Sequence, residues 1–506
     1  MTSLAEVLAR TAHRVPDRIA LQFGSSTLTY AELDAQVNQL ARELSDRGLQ
    51  RGDRVVLQSG NSDAFVVALY AGLRLGAVVV PINPRSASSE IRHFVEDSQA
   101  TLLVFSAGLV DNIRAWQESE DGGSIPALAL GTAEGFDDIL DCAAAQPAGP
   151  IDIDIDEADD ALIIYTSGTT GKPKGALFDQ HRVLWVGINS ALGLSLREGE
   201  RMLHVAPLYH SASLNMLIIG GMMYGATHLI LPAFDPERVL ETIESERATF
   251  FFGVPTMYTL MLRSPSMTTR DLSSLRVCLY GAAPMPATTA ESIVAALPAA
   301  TIIQACGQTE GGPGGILLQH DEVLAQPTAS GRYALPNTEV RVVDPDGNDA
   351  EPGEVGEMIM RGETMMKRYW RKPEATADTI RNGWVHTGDL ASIDADGYIT
   401  IVDRMKDIII TGGRNVYSAE VESALAGHPA VGDIAVVGRP DDVYGERVVA
   451  IITPRNGETP TLEELCAYGL KHLSSFKLPR ELIIDEIPRN ASGKIVKHRI
   501  REKLDA

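Results

Sequence analysis

Apolar runs and amphipathic stretches alternate through the first 328 residues of the chain. Short runs rich in Val, Ile and Leu are typical of buried strands, whereas apolar residues three or four positions apart are typical of helices. After two amphipathic helices that flank a hairpin, the pattern predicts these elements: strand 54–58, a helix ending at Leu75, strand 77–81, helix 88–98 and strand 101–105. Strands that alternate with helices in this way predict an α/β fold with parallel sheets.

The segment 111–160 interrupts this alternation, because it is acidic, Ala-rich and contains Pro and Gly. We interpret it as a variable connector. From residue 161 the alternation resumes, and the pattern predicts the following elements: a strand from 161, helix 180–193, strand 201–206, an apolar helix, strand 227–231, helix 236–246, strands 249–252 and 276–280, helix 286–297 and strand 301–304.

After residue 328 the sequence pattern changes and predicts short strands joined by turns that contain Asp, Gly and Pro, which is typical of a small β-barrel. The last hundred residues predict a compact α+β unit that ends in a basic tail. A length of 506 residues agrees with about three folding units.

One uncharged stretch, residues 212–231, is long enough for a membrane span. Asn215, His228 and three glycines divide it, so a buried helix followed by a buried strand is the favoured interpretation. The amphipathic N-terminus is typical of a helix start rather than a signal peptide. We therefore expect no stable membrane insertion.

The chain is acidic, with 44 Lys and Arg against 67 Asp and Glu and a formal net charge of −23. Such a balance disfavours nucleic acid and anionic membranes as partners. Four widely separated cysteines lack the spacing of zinc or redox motifs, and they indicate a reducing cytoplasm.

The densest chemical signal is the stretch 166–175, Thr-Ser-Gly-Thr-Thr-Gly-Lys-Pro-Lys-Gly, which directly follows a predicted buried strand. Glycines allow close approach of backbone N–H groups, hydroxyls donate hydrogen bonds and lysines supply charge, so the loop suits a polyphosphate. It is not a P-loop, because Pro173 stands where a Ser or Thr should hold magnesium. A flexible surface linker is the alternative, although linkers seldom follow a buried strand.

This loop closely resembles T-S-G-[ST]-T-G-x-P-K-G, the signature of the adenylate-forming superfamily of acyl-CoA synthetases, peptide-synthetase adenylation domains and beetle luciferase. The resemblance extends along nearly the whole chain and is specific to acyl-CoA and aryl-CoA synthetases. It implies an α/β fold: a large domain, 1–405, of two packed sheets plus a small β-barrel, and a small mobile α+β domain, 406–506.

The resemblance also implies a nucleotide site, in which Cys306 stands where the superfamily usually has an aromatic residue beside the adenine. Glu310 would hold Mg²⁺ together with Thr166, and the base would lie against Gly281, Ala282 and Ala283. The implied nucleotide contacts are Thr166, Ser167, Gly168, Thr169, Thr170, Lys174, Gly281, Ala282, Ala283, Cys306, Gly307, Gln308, Thr309, Asp389 and Arg404. Asp389 and Arg404 would bind the ribose.

Three segments near the C-terminus match the remaining superfamily motifs. Lys406 occupies the hinge position, and Gly412, Gly413 and Asn415 would enter the site and bind CoA once the small domain rotates. Lys494 ends a P-x-x-x-x-G-K motif and is the implied catalytic cation.

The implied acyl pocket contains Trp185, His210, Phe252, Gly281 and Gly312. His210 would orient the carboxylate, although a polar residue at a helix start is the simpler interpretation of it alone. Four glycines among residues 311–315 suggest open volume, and none of the pocket residues is Lys or Arg. We therefore expect a bulky apolar monocarboxylic acid.

The resemblance implies ATP-dependent formation of acyl-AMP, followed by transfer of the acyl group to CoA, with Lys494, His210 and Glu310 as the catalytic residues. Four alternatives stay open: a partial enzyme running only one half-reaction, a non-catalytic acyl-nucleotide-binding protein, an adenylation domain serving a carrier protein, and a luciferase-type oxygenase. The sequence leaves open whether the protein is a homodimer.

Overall fold

The computed structural model describes residues 3–119, 123, 125–166, 173–283, 285–455, 457–489 and 494–505. Within these ranges the chain forms two compact units. Residues up to 340 and residues 360–385 form the first unit, and residues 341–359 and 386–505 form the second. The predicted hinge residue, Lys406, lies inside the second unit.

A seven-stranded sheet in the first unit carries the strand before the phosphate loop. Its strands, in spatial order, are Arg368–Tyr369, Lys174–Asp179, Asp160–Thr166, Val78–Ile82, Arg54–Gln58, Leu102–Ser106 and Ala127–Leu130. The five strands from Asp160–Thr166 onward are parallel to one another. Each of the other two strands pairs antiparallel with the strand that follows it in this order. This confirms the predicted parallel α/β sheet.

A nine-stranded sheet forms the rest of the first unit. Its strands, in spatial order, are Tyr333–Ala334, Gly315–Leu318, Thr301–Gly307, Val277–Gly281, Phe250–Gly253, Arg201–His204, Thr227–Ile230, Ile19–Phe23 and Ser26–Thr29. The central strands are parallel, and antiparallel strands complete both edges.

Helices cover both sheets, and their bounds in the first unit are Leu4–Arg14, Tyr30–Asp46, Asp63–Arg74, Ser88–Ser98, Val110–Gln117, Ile139–Ala143, Gln180–Gly193, Ala212–Ile219 (π-helical), Gly220–Tyr224, Pro236–Ser245, Pro255–Arg263, Ala287–Ala296, His320–Ala325 and Pro373–Thr379. Ser3 and Thr29 begin the first two through capping boxes with Glu6 and Glu32. One buried core joins apolar residues of both sheets with the first three helices.

A separate five-stranded sheet contains Thr338–Val343, Val355–Gly362, Trp384–Ile393, Ile380–Arg381 and Ile399–Arg404. The C-terminal hundred residues form another sheet from Arg414–Val416, Ile409–Thr411, Gly445–Pro454, Val431–Asp441 and Glu481–Ile484. The helices of this region are Ser418–Leu425, Leu462–Gly469 and Lys497–Asp505. The predicted fold class is confirmed in its mixed α/β sheets and separate α+β C-terminal region.

Several elements differ from the sequence predictions. The expected connector 111–160 contains the edge strand Ala127–Leu130, whose small alanines weaken the apolar pattern. The basic tail forms the helix Lys497–Asp505. The uncharged stretch 212–231 is a buried helix followed by a buried strand, as expected, and its first part is π-helical. Within the described ranges, no helix is long and apolar enough to cross a membrane.

Candidate active site

The strands on either side of the phosphate loop form an antiparallel pair. Thr166, at the end of the first strand, is the register partner of Lys174, at the start of the second. Buried residues of both strands, such as Ile163 and Leu177, pack in one core and fix this register. Ser167, Gly168, Thr169 and Thr170, which were predicted to bind phosphate, lie outside the described residues.

Glu310 lies against this pair of strands, in the short 3₁₀ turn Thr309–Gly311. The hydroxyl of Thr166 donates to Oε1 of Glu310 over 3.1 Å, and the hydroxyl of Tyr369 donates to the same oxygen over 2.7 Å. The structure therefore brings together the two residues that were predicted to hold the metal.

Tyr369 is a site residue that the sequence interpretation missed. Its strand pairs with the strand that follows the phosphate loop, with Tyr369 opposite Ala176. The ring lies 5.3 Å from the Nζ atom of Lys174, which is a cation–π distance. The available signal was the aromatic pair Tyr369–Trp370 within the basic run 367–372.

The helix Ser88–Ser98 contacts both ends of the loop. Nε2 of His93 lies 3.1 Å from the carbonyl oxygen of Pro173, and the hydroxyl of Tyr165 donates to Asp97 over 2.8 Å. His93 and Asp97 are four residues apart and therefore share one helix face. Burial raises the pKa of Tyr165, so its hydroxyl stays protonated and can donate.

The segment predicted to contact the base lies at the ends of two neighbouring parallel strands. Gly281 is the register partner of Ala305, and a Cβ atom on Gly281 would lie 2.4 Å from the Ala305 carbonyl oxygen. Only glycine allows this approach. Ala282 has a left-handed φ of 68°, which is strained for a residue with a side chain. Ala283 is exposed beside it.

The glycine run after Glu310 is closely packed on its Cβ side. A Cβ atom would lie 2.4 Å from Met360 Cε at Gly311, 2.0 Å from the Thr364 carbonyl oxygen at Gly312, and 2.0 Å from Leu335 Cδ1 at Gly314. The expectation that missing side chains leave open volume is therefore wrong on this side, because protein atoms fill it. Cys306 and Gly307 pair with the end of this run, opposite Ile316 and Gly315.

His210 precedes the π-helix Ala212–Ile219. Its ring lies 4.4 Å from that of Tyr209, and the next residue, Ser211, has its hydroxyl 3.0 Å from the Thr309 hydroxyl. The structure thus places the predicted acyl segment beside the Thr309–Glu310 segment. π-Helical turns are rare in proteins overall, and those that occur are often found at functional sites.

The other two predicted acyl contacts lie on separate elements. Phe252 belongs to a buried core with Val186 and Leu217, near the end of its strand. Trp185 lies on the helix Gln180–Gly193, with its ring 6.2 Å from that of His181. Their shared role in one pocket stays a prediction.

In the second unit, the two predicted ribose contacts meet each other. Asp389 and Arg404 are register partners on antiparallel strands, and Arg404 Nε lies 2.7 Å from Asp389 Oδ1. Asp389 is largely buried, with 10% of its side chain exposed. The guanidinium balances its charge, and a carboxylate is a suitable acceptor for a hydroxyl.

The remaining C-terminal candidates are exposed. Gly412 and Gly413 connect two short strands and have φ angles of 57° and 72°. A type I′ turn requires positive φ at both of its central residues, and these two glycines meet that requirement. This turn is a structural reason for two glycines, in addition to the predicted room for CoA. Asn415 follows the turn, Lys406 lies in the 3₁₀ turn Met405–Asp407, and Lys494 precedes the bridge residue Ile495.

Two family models match the chain: one described as AMP-binding enzyme over residues 8–370, and one described as AMP-binding enzyme C-terminal domain over residues 420–494. The chain belongs to the AMP-binding enzyme family. It is 38% identical over 498 residues to feruloyl-CoA synthase of an Amycolatopsis species, with 98% of both chains covered. It is 36% identical to a long-chain-fatty-acid–CoA ligase of Mycobacterium tuberculosis, covering 95% of this chain and 93% of the relative.

Among solved structures of AMP-binding enzymes, ATP-bound MatB from Rhodopseudomonas palustris has a TM-score of 0.89 and 32% identity, with 99% of each chain covered. The predicted superfamily and enzyme class are confirmed: the protein is an AMP-forming acyl-CoA synthetase, an acid–thiol ligase. This activity implies ATP and CoA as cosubstrates. The roles of individual residues remain predictions.

The oxygen donors at Glu310 fit the magnesium ion that was predicted for this AMP-binding enzyme. A carboxylate and a hydroxyl are hard ligands, and Mg²⁺ commonly takes one or two carboxylates together with phosphate oxygens and water. Within the described ranges, no group of three or more His, Cys, Asp or Glu side chains could hold a metal ion. A site that relies on substrate phosphates needs no such group.

Proposed function

We propose that this enzyme activates a bulky apolar monocarboxylic acid as its acyl-AMP and then transfers the acyl group to CoA. The observation that carries the adenylation step is the Glu310 carboxylate, which accepts hydrogen bonds from Thr166 and Tyr369 at the start of the phosphate loop. A fixed carboxylate beside a loop rich in hydroxyls and lysines suits a magnesium triphosphate.

In the first half-reaction, the acid's carboxylate attacks the α-phosphorus of ATP and pyrophosphate leaves. Lys174 and the loop would bind the phosphates, and Thr309 would donate to an α-phosphate oxygen. Mg²⁺, held by Glu310 and Thr166, would neutralise charge on the phosphates. We assign Lys494 to the reacting atoms, because a cation there reduces the repulsion between the two anions.

In the second half-reaction, the CoA thiol attacks the acyl carbonyl and AMP leaves. We propose that rotation at Lys406 removes Lys494 and brings in the segment around Gly412, Gly413 and Asn415. Asp389 and Arg404 would hold the ribose throughout. Their mutual contact supports this role, because it fixes the carboxylate for the ribose hydroxyls.

The charge around the predicted acyl pocket supports an apolar monocarboxylate. Arg182, one turn from Trp185, contacts Asp179 over 2.5 Å, and His181 contacts Glu363 over 2.7 Å. These basic groups already have carboxylate partners, so they are poor candidates for binding a second carboxylate of the substrate. His210 would orient the reacting carboxylate.

A panel of acids tests the substrate class, with AMP release measured in the presence and absence of CoA. Ferulic acid, cinnamic acid and a long-chain fatty acid represent the expected class, and 4-carboxycinnamic acid is a matched dicarboxylate. We expect CoA-dependent turnover of at least one monocarboxylate and little turnover of the dicarboxylate. Preference for the dicarboxylate would contradict the proposal.

The Lys494→Ala variant tests the division of labour. We expect loss of acyl-AMP formation, measured by pyrophosphate exchange, with thioester formation from supplied acyl-AMP retained. Equal loss of both half-reactions would contradict the assignment of Lys494. A wild-type enzyme that runs only one half-reaction would instead support the partial-enzyme alternative.

We also propose that the enzyme works in a reducing cytoplasm. None of the four cysteines, all of which lie in the described ranges, forms a disulfide, and this supports a reducing cytoplasm. Sedimentation of the purified chain would distinguish a monomer from a homodimer.

A further inference from the structure

Two buried carboxylates flank the predicted hinge residue Lys406. Asp403 is 5% exposed and Asp407 is 7% exposed. Both are connected to the helix Lys497–Asp505, which begins three residues after Lys494. One connection joins residues on opposite sides of Lys406 in the chain, and the other joins residues on the same side.

The connection from Asp403 passes through the start of the helix Ser418–Leu425. Oδ2 of Asp403 accepts hydrogen bonds from the backbone N–H and the hydroxyl of Ser418, the latter over 2.8 Å, and from the N–H of Ala419 over 3.4 Å. A carboxylate at a helix N-terminus is favourable, because it meets unpaired N–H groups and the positive end of the helix dipole. Asp403 therefore caps a helix that follows it in the chain.

Lys497 completes this group. Its Nζ atom donates to the Ser418 hydroxyl over 2.6 Å and lies 2.8 Å from Glu422 Oε1. Burial raises the pKa of Glu422, and the Lys497 ammonium opposes that shift. A largely buried carboxylate that is paired with a largely buried cation is sensitive to loss of either partner. Lys497 thus ties the segment that carries Lys494 to the helix capped by Asp403.

The second connection is an ion pair between Arg501 Nη2 and Asp407 Oδ1, 2.7 Å apart. Asp407 and Arg501 both follow Lys406 in the chain, so rotation at Lys406 moves them together. Asp403 precedes Lys406, whereas Ser418 and Lys497 follow it. Rotation must therefore break the Asp403–Ser418 bonds but can leave the Asp407–Arg501 pair intact.

A contact can bias two conformations only if it is made differently in them. We propose that Asp403 and Ser418 form a latch that stabilises one hinge conformation and so sets the balance between the two half-reactions, while Lys497, which moves with Ser418, supports it only by donating to the Ser418 hydroxyl. These are positioning residues, since they act through the placement of the small domain. The proposal rests on the rotation at Lys406 described under the proposed function.

The test measures both half-reactions of the full-length enzyme, with pyrophosphate exchange for adenylation and thioester formation from supplied acyl-AMP for the second step. Asp403→Asn and Ser418→Ala each weaken the latch. We expect each to change the ratio of the two rates by about fivefold or more in the same direction, the lower end of typical coupling between sites. If Asp403→Asn fails to fold, the milder Ser418→Ala still decides the outcome.

Arg501→Gln is the matched control, because it removes a partly exposed ion pair of the helix Lys497–Asp505 without touching the latch. We expect it to leave the ratio within about twofold of wild type, even where it lowers the melting temperature. The double variant Asp403→Asn/Ser418→Ala should change the ratio no more than the stronger single variant, since both remove one interaction.

An unchanged ratio in both latch variants would overturn the proposal. An equal change in Arg501→Gln would also overturn it, because the effect would then reflect general loosening. Failure of the proposed function looks different: the wild-type enzyme would lack one of the half-reactions altogether.

Discussion

The hydroxyl of Tyr369 donates a 2.7 Å hydrogen bond to Oε1 of Glu310, the carboxylate oxygen that also accepts from Thr166. Two hydroxyl donors on one oxygen restrict the orientation of the carboxylate. The arrangement leaves Oε2 as the oxygen with no bond to either hydroxyl. It also makes Tyr369 a positioning residue for the proposed metal.

Tyr369→Phe should slow adenylation. A hydrogen bond to a charged group contributes about 1.5–3 kcal/mol, so we expect a loss of about 10- to 100-fold in pyrophosphate exchange. The loss should be partly reversed at high magnesium concentration. Tyr258→Phe is the control, because its hydroxyl donates to the Leu279 carbonyl inside the core. A magnesium dependence equal in both variants would count against the role of Tyr369.

The buried pair His204 and His228 should make the enzyme sensitive to acid. Nε2 of His204 lies 2.9 Å from Nδ1 of His228. Burial lowers the pKa of His204 to about 3, and burial and the neighbouring ring hold the pKa of His228 well below its ordinary value of 6.5. Both groups are therefore neutral in the folded state.

Because the unfolded chain binds protons at these histidines below pH 6.5, stability is complete above that pH and falls as pH drops toward 3. For two such groups the loss of unfolding free energy between pH 7.5 and 5.5 is about 3 kcal/mol. Urea unfolding at both values should show this difference in wild type and a smaller one in His204→Gln/His228→Gln. Replacing the exposed His13 by Gln should leave the pH dependence as it is in wild type.

Asn215→Leu should stabilise the protein. Asn215 is fully buried in the apolar π-helix, and neither its Oδ1 nor its Nδ2 atom has a hydrogen-bond partner in the described part of the chain. Such a group costs about 1–3 kcal/mol, and Leu has a similar shape, so the melting temperature should rise. Asn38→Leu should lower it, since Asn38 bonds Arg74 and the Ala148 carbonyl. A fall with Asn215→Leu would mean that the amide has a partner.

Ala282→Gly should relieve backbone strain beside the proposed nucleotide site. The left-handed conformation costs an L-residue about 1–2 kcal/mol, and the added freedom of glycine in the unfolded chain offsets about half of that. We therefore expect a gain of about 0.5–1 kcal/mol in the free energy of unfolding. The neighbouring Ala283→Gly lacks the strain term and should lose a similar amount. Equal effects of the two substitutions would contradict this account.

Local pattern was enough to predict much of the site. Thr166 and Lys174 lie at the ends of two apolar runs joined by a short polar loop, so their approach follows from the sequence alone. The local pattern does not predict the pairing of Asp389 with Arg404, because that pairing depends on the register of two strands within a sheet. The superfamily motifs predicted Asp389 and Arg404 as site residues, and the structure shows that they contact each other.

Features that depend on distant packing were not predictable. The strand containing Tyr369 has only two residues, and it is defined by pairing with a strand almost two hundred positions earlier. The glycines around Gly312 pack against Met360, Thr364 and Leu335, so they make close contacts on their Cβ side, where open volume was predicted. Composition does not distinguish these two reasons for glycine.

The edge position of the strand Arg368–Tyr369 has a consequence for biosynthesis. A nascent chain acquires the parallel strands first, then Glu310, and only later Tyr369, because synthesis and domain folding proceed from the N-terminus. The Glu310 carboxylate therefore gains its second hydroxyl donor only after nearly all of the first unit has been synthesised. A truncation before residue 368 should yield a chain that keeps the parallel strands but holds the Glu310 side chain less firmly.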